Sequence, residues 1–358
     1  MKDEISKKHQ FFTRKLLEWH DKFNTRVMPW KYEKDPYKIW ISEIILQQTR
    51  VEQGLGYYNR FIKKFPNVLK LAAAKESDVF KLWEGLGYYS RCRNLIATAQ
   101  LIATERNGIF PNAHEDIMKL KGIGPYTAAA IASFAFQLPY AVVDGNVMRV
   151  LSRFFGIDTP IDTAAGKKMF NELAQTLLEK KKPGIYNQAI MDLGATICKP
   201  RSPLCNQCLL SAQCVAHKQN IIEVFPVKEK KITIKERWFY YLIVAFNDKF
   251  YIRKRIENDI WQQLHEFILI ESEIQLSDKQ LFKSDAFKEI INVKYEVLIS
   301  SENVMQKLTH QHINGRFISL KIEKQLTSIS YSLKSKSELK KLAFPKLIST
   351  YISEKKLF

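Results

Sequence analysis

Four of the five cysteines lie in one short segment, and the periodicity of the apolar residues changes on its far side. Before the segment, apolar residues recur at helical spacing in FFTRKLLEWHDKF, YKIWISEIILQQ, NVMRVLSRFF and NQAIMDLGATI. After it, strand-like runs dominate, such as WFYYLIVAF, KFYIRKR, EFILIE and KYEVLIS. The chain has 358 residues, and this change predicts a multidomain protein with an all-α domain followed by an α+β domain.

The predicted boundaries follow the same change. We expect an all-α region over residues 1–217, a polar and basic linker over 218–235, and an α+β domain over 236–358. Within the last domain, KQLFKSDAFKEI is helix-like, and SELKKLAFPKLISTYI predicts helical structure near the end.

The cysteines follow the spacing C-x6-C-x2-C-x5-C, without a histidine: Cys198, Cys205, Cys208 and Cys214. In a reducing compartment, such clustering favours a metal site over disulfides. Structural zinc usually has two close pairs of ligands, which this spacing lacks, although four thiolates are compatible with zinc. Thiolates suit an iron–sulfur cluster equally well, so the pattern predicts a metal and leaves its identity open.

The formal net charge of +19 favours a polyanionic partner, either nucleic acid or an anionic membrane surface. A generally basic proteome would produce the same excess, so charge alone favours nucleic acid only modestly. No apolar run approaches the ~20 residues that span a bilayer. The first residues also lack a signal-peptide pattern. We therefore expect a cytoplasmic protein that does not associate with membranes.

The segment LKGIGPY joins two helix-like stretches and predicts a helical hairpin over about residues 114–136. It lacks the Lys-Ser/Thr of a P-loop and does not follow a strand, which excludes two nucleotide-binding motifs. Gly122 and Gly124 would let the backbone approach an anion, and Pro125 suits the first turn of a helix whose N–H groups point at that anion. A nucleic-acid phosphate and a tight helix–helix turn without a ligand both fit this pattern.

Several motifs together resemble a known family. LKGIGPYTAAAI, VVDGNVMRVLSR and the cysteine cluster resemble the helix-hairpin-helix DNA glycosylases of the endonuclease III superfamily. More narrowly, MPWKYEKDPYKIWISEIILQQTRVE, WEGLGYYSRCRNL and YNQAIMDLGATIC resemble the adenine DNA glycosylases called MutY. The resemblance covers roughly residues 20–215 closely and the rest more loosely.

This resemblance implies a [4Fe–4S] cluster on the four cysteines and a DNA phosphate at the glycine loop. It implies a monomeric repair enzyme that removes adenine mispaired with 8-oxoguanine or guanine from double-stranded DNA. The target base would be flipped out of the duplex.

Cleavage of a glycosidic bond needs an acid for the leaving base and a carboxylate for the developing sugar cation. Glu43 has mainly apolar neighbours at helical spacing, which would raise the pKa of its carboxyl, and Asp144 precedes a helix. An exposed surface glutamate and an ordinary N-cap aspartate are the alternatives. The resemblance implies that Glu43 is the acid, that Asp144 stabilises the cation and that Asn146 orients Asp144.

Tyr126 stands where the endonuclease III type has a lysine that attacks the sugar and then cleaves the strand. A phenol cannot form a Schiff base, so the resemblance implies a glycosylase without lyase activity. Tyr126 disfavours a glycosylase/lyase for damaged pyrimidines. Glu43 and Asp144 disfavour a protein that only locates lesions.

The resemblance also implies DNA contacts. Gln48 and Tyr88 would enter the duplex near the base opposite adenine, although a buried core tyrosine is an alternative for Tyr88. Lys31 stands where the family often has arginine and cannot make a bidentate contact. The further residues implied near the adenine or the DNA are Arg26, Leu46, Thr49 and Gln188.

IRKRIENDIWQQLHEFILIE resembles the Nudix-like C-terminal domain of the same family, with Gln263 and His265 in place of the usual glycine and aromatic residue. It lacks the glutamate box of Nudix hydrolases, so we expect no nucleotide hydrolysis. QKLTHQHINGRF aligns with the family's Phe-Ser-His loop as Leu308, Thr309 and His310, which implies contact with 8-oxoguanine. A polar hairpin loop is the alternative.

Overall fold

The computed structural model describes residues 2–229, 233–327 and 330–358. It divides into two compact units, which we call the helical unit (Met1–Ala73 with Ala97–Lys231) and the mixed unit (Ala74–Ile96 with Ile232–Phe358). The predicted fold class, an all-α region followed by an α+β region, is confirmed. Residues 74–96 are grouped differently from the boundaries predicted from sequence. The sequence assigns them to the helical region, but in the structure they pack within the mixed unit.

The first part of the chain is helical throughout. Its helices are α1 (Lys2–Phe23), α2 (Pro36–Leu46), α3 (Val51–Lys64), α4 (Val68–Ala72), α5 (Glu76–Trp83), α6 (Tyr89–Glu105), α7 (His114–Met118), α8 (Pro125–Phe136), α9 (Gly145–Phe155), α10 (Ala164–Leu177), α11 (Pro183–Thr196) and α12 (Val215–Lys218).

Local sequence determines where the functional helices begin. Asp35 caps α2, because its side chain accepts a hydrogen bond from the N–H of Tyr37, and Pro36 occupies the first helical turn. Helix α8 likewise has a proline, Pro125, in its first turn, but its N-cap is Gly124, which has no side chain to cap it; α7 and α8 form the predicted hairpin. Helices α1, α9, α10 and α11 bury one hydrophobic core of this unit.

The mixed unit is built on one sheet. Its strands are β1 (Lys235–Phe246), β2 (Lys249–Lys254), β3 (His265–Glu266), β4 (Ile268–Ser272), β5 (Tyr295–Ser300), β6 (Val304–Lys307), β7 (Gln311–Ile322) and β8 (Ser332–Ser335). The strand order is β3-β2-β1-β7-β5, with β4 also on β1, β6 on β7 and β8 on β2. The long central strands β1 and β7 run parallel in the register Lys235↔Gln311 to Ala245↔Lys321, and the other pairs are antiparallel.

The helices of the mixed unit are α13 (Asp278–Lys283), α14 (Asp285–Ile290), α15 (Lys336–Leu339) and α16 (Lys346–Glu354). KQLFKSDAFKEI therefore forms two short helices, because the Ser284 side chain caps α14 and ends the first helix. Pro345 separates α15 from α16, since proline cannot continue a helix.

Part of the predicted linker is folded onto the helical unit. Phe225 is buried, and its carbonyl accepts a hydrogen bond from Arg153 Nε at 3.2 Å. The carbonyl of Val227 accepts one from the N–H of Ile161 at 3.0 Å. Residues 230–232 of the predicted linker lie outside the described residues. Within the described part of the chain, no helix is long and apolar enough to cross a membrane.

Candidate active site

The helical unit contains a cavity of about 590 Å³ at the ends of α2, α8, α9 and α11. Apolar side chains form part of its wall, including Met28, Trp30 and Ile185. The cavity brings together most of the predicted catalytic and adenine-contacting residues: Arg26, Glu43, Leu46, Gln48, Thr49, Tyr126, Asp144, Asn146 and Gln188.

Glu43 is the buried acid of this cavity. It lies on α2 among apolar residues and is only 6% exposed, so the surface-glutamate alternative is wrong. The pKa of its carboxyl is raised to about 7, chiefly by burial; a hydrogen bond from Tyr126 opposes the increase and the charge of Asp144 adds to it. A carboxyl of this kind can hold and release a proton near neutral pH.

Tyr126 is the donor to that carboxyl. Its hydroxyl, in the first turn of α8, donates a hydrogen bond to Glu43 Oε2 at 2.8 Å. Burial and the charges of Glu43 and Asp144 raise the pKa of the phenol well above its usual value. Tyr126 is therefore a neutral donor and not a nucleophile.

Asp144 is the second carboxylate, and it is also the N-cap of α9. Its Oδ1 accepts a hydrogen bond from the N–H of Val147 at 2.8 Å, and its Oδ2 accepts one from Asn146 Nδ2 at 2.7 Å. The carboxylate therefore lies at the positive end of α9 and accepts two hydrogen bonds. The N-cap alternative is thus correct, and it supports an electrostatic role.

The orientation of Asp144 depends on residues further from the cavity. Arg149 Nη2 donates to Asn146 Oδ1 at 2.9 Å, and Arg149 Nε donates to the carbonyl of Cys198 at 2.8 Å. A continuous series of hydrogen bonds therefore connects Asp144 with the first cysteine of the cluster segment.

Asp192 was not among the residues predicted from sequence, and it contacts two residues that line the cavity, Arg26 and Gln188. Its side chain is fully buried, and its carboxylate accepts hydrogen bonds from Arg26 Nη1 at 2.8 Å, Gln188 Nε2 at 3.0 Å and Asn24 Nδ2 at 2.8 Å. The position four residues after Gln188, on the same face of α11, is the signal that could have identified it. Asp192 organises the polar wall of the cavity.

Lys31 belongs to the same group of charges, but it is directed away from the cavity. Its side chain is only 7% exposed, and its ammonium lies 3.5 Å from Asp192 Oδ2 and donates to the carbonyl of Arg26 at 2.8 Å. Lys31 therefore contacts Arg26 and Asp192 on the side away from the cavity.

The hairpin loop leaves an open surface at its glycines. Gly122 has φ 79°, which side chains rarely adopt, so the turn itself requires glycine there. Gly124 has an ordinary φ of −96°, and a Cβ atom built on it would meet no atom within 4 Å. The conformation of the turn therefore explains Gly122, whereas Gly124 leaves space for a ligand against the start of α8.

A second cavity, of about 500 Å³, lies within the mixed unit. The turn before α6 and the turn between β6 and β7 form two of its sides, and Tyr88, Leu308, Thr309 and His310 line it. The hydroxyls of Tyr88 and Thr309 lie 2.7 Å apart and share a hydrogen bond. Tyr88 is 44% exposed, so the buried-core alternative for this residue is wrong.

Gln48 and Tyr88 share an uncommon backbone conformation, although they belong to different units. Both lie in the left-handed region, with φ 55° and 49°, and both side chains are exposed. Residues other than glycine rarely adopt this conformation, and such residues cluster at functional sites.

Gln263 and His265 of the mixed unit depart from the family pattern, and the structure shows how each residue is accommodated. Gln263 adopts φ 76°, a conformation that favours the glycine it replaces. His265 lies edge-on to Phe344 with ring centroids 6.4 Å apart, so its imidazole keeps an aromatic contact. Burial lowers the pKa of His265 to about 4, which keeps that ring neutral.

The four cysteines line one small cavity together with apolar side chains such as Ile197 and Ile222. Arg153 is buried beside them; its Nη1 lies 3.5 Å from Cys198 Sγ and donates to the carbonyl of Lys199 at 2.7 Å. Among the described residues, no three His, Cys, Asp or Glu side chains are grouped closely enough to hold a single metal ion. The four thiols share this cavity.

Comparison with known proteins agrees with this fold. The model of the HhH-GPD superfamily base excision DNA repair proteins matches residues 41–180. A thermostable thymine-DNA glycosylase is 30% identical, with a TM-score of 0.56 over 60% of this chain and 99% of that chain. An endonuclease III in a non-covalent DNA complex shares the fold, at 22% identity and a TM-score of 0.51 over 60% of this chain and 98% of that chain. The protein therefore falls in the class of helix-hairpin-helix base excision repair proteins.

The sequence relatives are more specific. The adenine DNA glycosylase of Buchnera aphidicola subsp. Baizongia pistaciae (strain Bp) is 38% identical over 254 residues, covering 71% of this chain and 72% of the relative. That of Rattus norvegicus is 42% identical over 217 residues, covering 58% of this chain and 42% of the relative. The chain belongs to the adenine DNA glycosylases, which are hydrolases of the base excision repair superfamily.

Proposed function

We propose that this enzyme hydrolyses the N-glycosidic bond of adenine mispaired with 8-oxoguanine or guanine in double-stranded DNA, and that it does not cleave the strand. The observation that carries the proposal is the presence of Glu43 and Asp144, in opposite environments, in one cavity. Glu43 is buried with its pKa raised to about 7, whereas Asp144 is held by a helix N-terminus and by Asn146. Opposite environments of this kind assign an acid and a charged partner.

In this mechanism the adenine leaves the duplex and enters the cavity of about 590 Å³. Arg26 and Gln188, held by Asp192, contact the base, and Glu43 delivers its proton to a ring nitrogen. Protonation makes the base a neutral leaving group as the bond to the sugar breaks. The Tyr126 hydroxyl holds the Glu43 carboxyl in position.

The sugar that remains carries positive charge, which Asp144 stabilises. Water then completes the hydrolysis. No lysine amine replaces Tyr126 in the hairpin loop, so no Schiff base forms at this position. The open face at Gly124 suits a backbone phosphate at the positive end of α8.

The second cavity recognises the base opposite adenine. In 8-oxoguanine, N7 carries a hydrogen and C8 an oxygen. N7, which is a hydrogen-bond acceptor in guanine, therefore becomes a donor, and the oxygen on C8 is a new acceptor beside it. A hydroxyl can serve both groups, and Thr309 and Tyr88 present two hydroxyls side by side. Gln48 and Tyr88, at exposed left-handed positions, enter the duplex. His310 and Thr49 add contacts to the DNA.

The cofactor we propose is a [4Fe–4S] cluster bound by Cys198, Cys205, Cys208 and Cys214. These four cysteines line one cavity and would hold the cluster through their thiolates. When bound, the cluster supplies a redox-active cross-link for the segment. Purified protein should contain about four iron atoms per chain. Stoichiometric zinc, from cells with ample iron, would contradict this assignment.

The function is tested by incubating the protein with duplexes that carry single defined mispairs, with and without alkali. Adenine should be released opposite 8-oxoguanine and guanine but not opposite thymine, and the strand should break only after alkali. Borohydride should trap no covalent adduct. Efficient trapping would show an enzyme amine at the sugar and contradict the proposal.

A further inference from the structure

The turn that carries Tyr88 is held at its base by two charged side chains. Glu84, which follows α5, accepts a hydrogen bond on Oε1 from the N–H of Phe344 at 2.9 Å and on Oε2 from Lys81 Nζ at 2.7 Å. Lys81 Nζ also donates to the carbonyl of Leu342 at 2.8 Å. The two side chains therefore bind both a donor and an acceptor of the backbone at 342–344.

This backbone segment is itself fixed from another side. The carbonyl of Ala343 accepts a hydrogen bond from the N–H of His265, the first residue of β3, at 2.9 Å. The side chain of Phe344 is buried, with 2% exposure, and stacks on Phe267. Glu84 thus connects the turn to an ordered part of the mixed unit.

The short turn transmits this constraint to Tyr88. Trp83 Nε1 donates to the carbonyl of Gly87 at 3.0 Å, which closes the turn from the end of α5. The guanidinium of Arg91 lies 5.2 Å from the centroid of the Tyr88 ring. These two contacts fix the turn between Glu84 and Tyr88 at both of its ends.

We infer that Lys81 and Glu84 are positioning residues for discrimination between 8-oxoguanine and guanine. They hold Tyr88 where its hydroxyl meets Thr309, so that the two turns contact the opposite base as one surface. Neither Lys81 nor Glu84 is among the described residues that line the second cavity. They act through Tyr88. The inference rests on the proposed function of that cavity.

The test compares Glu84→Ala and Glu84→Gln with wild type and with Glu76→Ala, which removes an exposed carboxylate from the start of α5. Single-turnover rates are measured on A·8-oxoguanine and A·G duplexes. Glu84→Ala should lower the ratio of the two rates by about tenfold, because hydrogen bonds to a charged group are lost, and should leave the A·G rate unchanged. Glu84→Gln keeps an acceptor for Phe344 and should retain most of the ratio, and Glu76→Ala all of it.

Hydrogen exchange of the peptide that contains the Phe344 amide monitors the contact directly. Protection should fall in Glu84→Ala and persist in Glu84→Gln. An unchanged rate ratio in a variant that has lost this protection overturns the inference. If Glu84→Ala does not fold, Lys81→Met replaces it under the same criteria. A wild-type enzyme without any preference for 8-oxoguanine contradicts the proposed function instead, so the two failures are distinguishable.

Discussion

The two cavities differ in how their side chains are held. In the first, Glu43 is buried, Asp144 caps a helix and Asp192 is enclosed by its partners. In the second, Tyr88 and Thr309 lie on turns, with exposed side chains. Buried groups can have strongly perturbed pKa values, whereas exposed hydroxyls contribute small, directional hydrogen bonds.

This difference suits the two tasks that we propose. Proton transfer and charge stabilisation require groups whose protonation state is set before the base arrives. Recognition of an oxidised base requires only a small difference in binding free energy. Variants of the first cavity should therefore lower the rate for both mispairs equally, and variants of the second should change the ratio between them.

The largest effect is expected for Glu43→Gln. The amide keeps the shape of the side chain but cannot deliver a proton, so base release should fall by about 10²–10⁴-fold, the usual contribution of a general acid. DNA affinity and the ratio of the A·8-oxoguanine and A·G rates should be retained. Single-turnover kinetics and a binding assay measure both quantities.

The matched control for this variant is Glu52→Gln, an exposed glutamate in the first turn of α3. It should behave as wild type. Release of adenine by purified Glu43→Gln at the wild-type rate would show that another group is the acid.

Much of the first cavity could be predicted from sequence, because the residues proposed for catalysis belong to short motifs on single helices or helix starts. Glu43 and Asp144 are examples: the motifs that contain them resemble the family, whereas apolar spacing and an N-cap pattern alone left ordinary structural roles open. The placement of residues 74–96 could not be predicted in this way. It depends on the contact of Glu84 with Phe344, 260 residues later, which leaves no periodic signal. For Asp192, the i+4 spacing from Gln188 was a local signal, whereas its contacts with Arg26 and Asn24, 166 and 168 residues away, leave none.

The next largest effect is expected for Asp192→Asn. Arg26 and Lys31 would lose their buried counter-charge, and hydrogen bonds to a charged acceptor contribute about 1.5–3 kcal/mol, so adenine release should slow by about ten- to a hundredfold. Both mispairs should be affected equally, as single-turnover rates will measure. Asp158→Asn, at an exposed aspartate, is the control. A change confined to the A·8-oxoguanine duplex would contradict the separation of the two cavities.

A smaller effect, visible in the pH profile, is expected for Tyr126→Phe. The rate of base release should fall as pH rises through about 7, where Glu43 loses its proton. The Tyr126 hydrogen bond favours the charged carboxylate and so lowers the pKa of Glu43. Its removal should raise that pKa and move the alkaline limb of the profile to higher pH. A limb displaced to lower pH would contradict the role of Tyr126 as a donor to the carboxylate.

The smallest effect is expected for Thr309→Val, and it tests the second cavity alone. A truncation after Lys231 would be a coarser test, because it also removes the packing partners of residues 74–96, including the backbone that Glu84 binds. Valine keeps the shape of threonine but loses the hydroxyl that meets Tyr88. One net hydrogen bond contributes about 0.5–1.5 kcal/mol, so the A·8-oxoguanine to A·G rate ratio should fall by about two- to tenfold. Thr309→Ser, which keeps a hydroxyl, should preserve the ratio, and the A·G rate should stay constant in both variants. An unchanged ratio in Thr309→Val would shift recognition of the lesion to Gln48 and the helical unit.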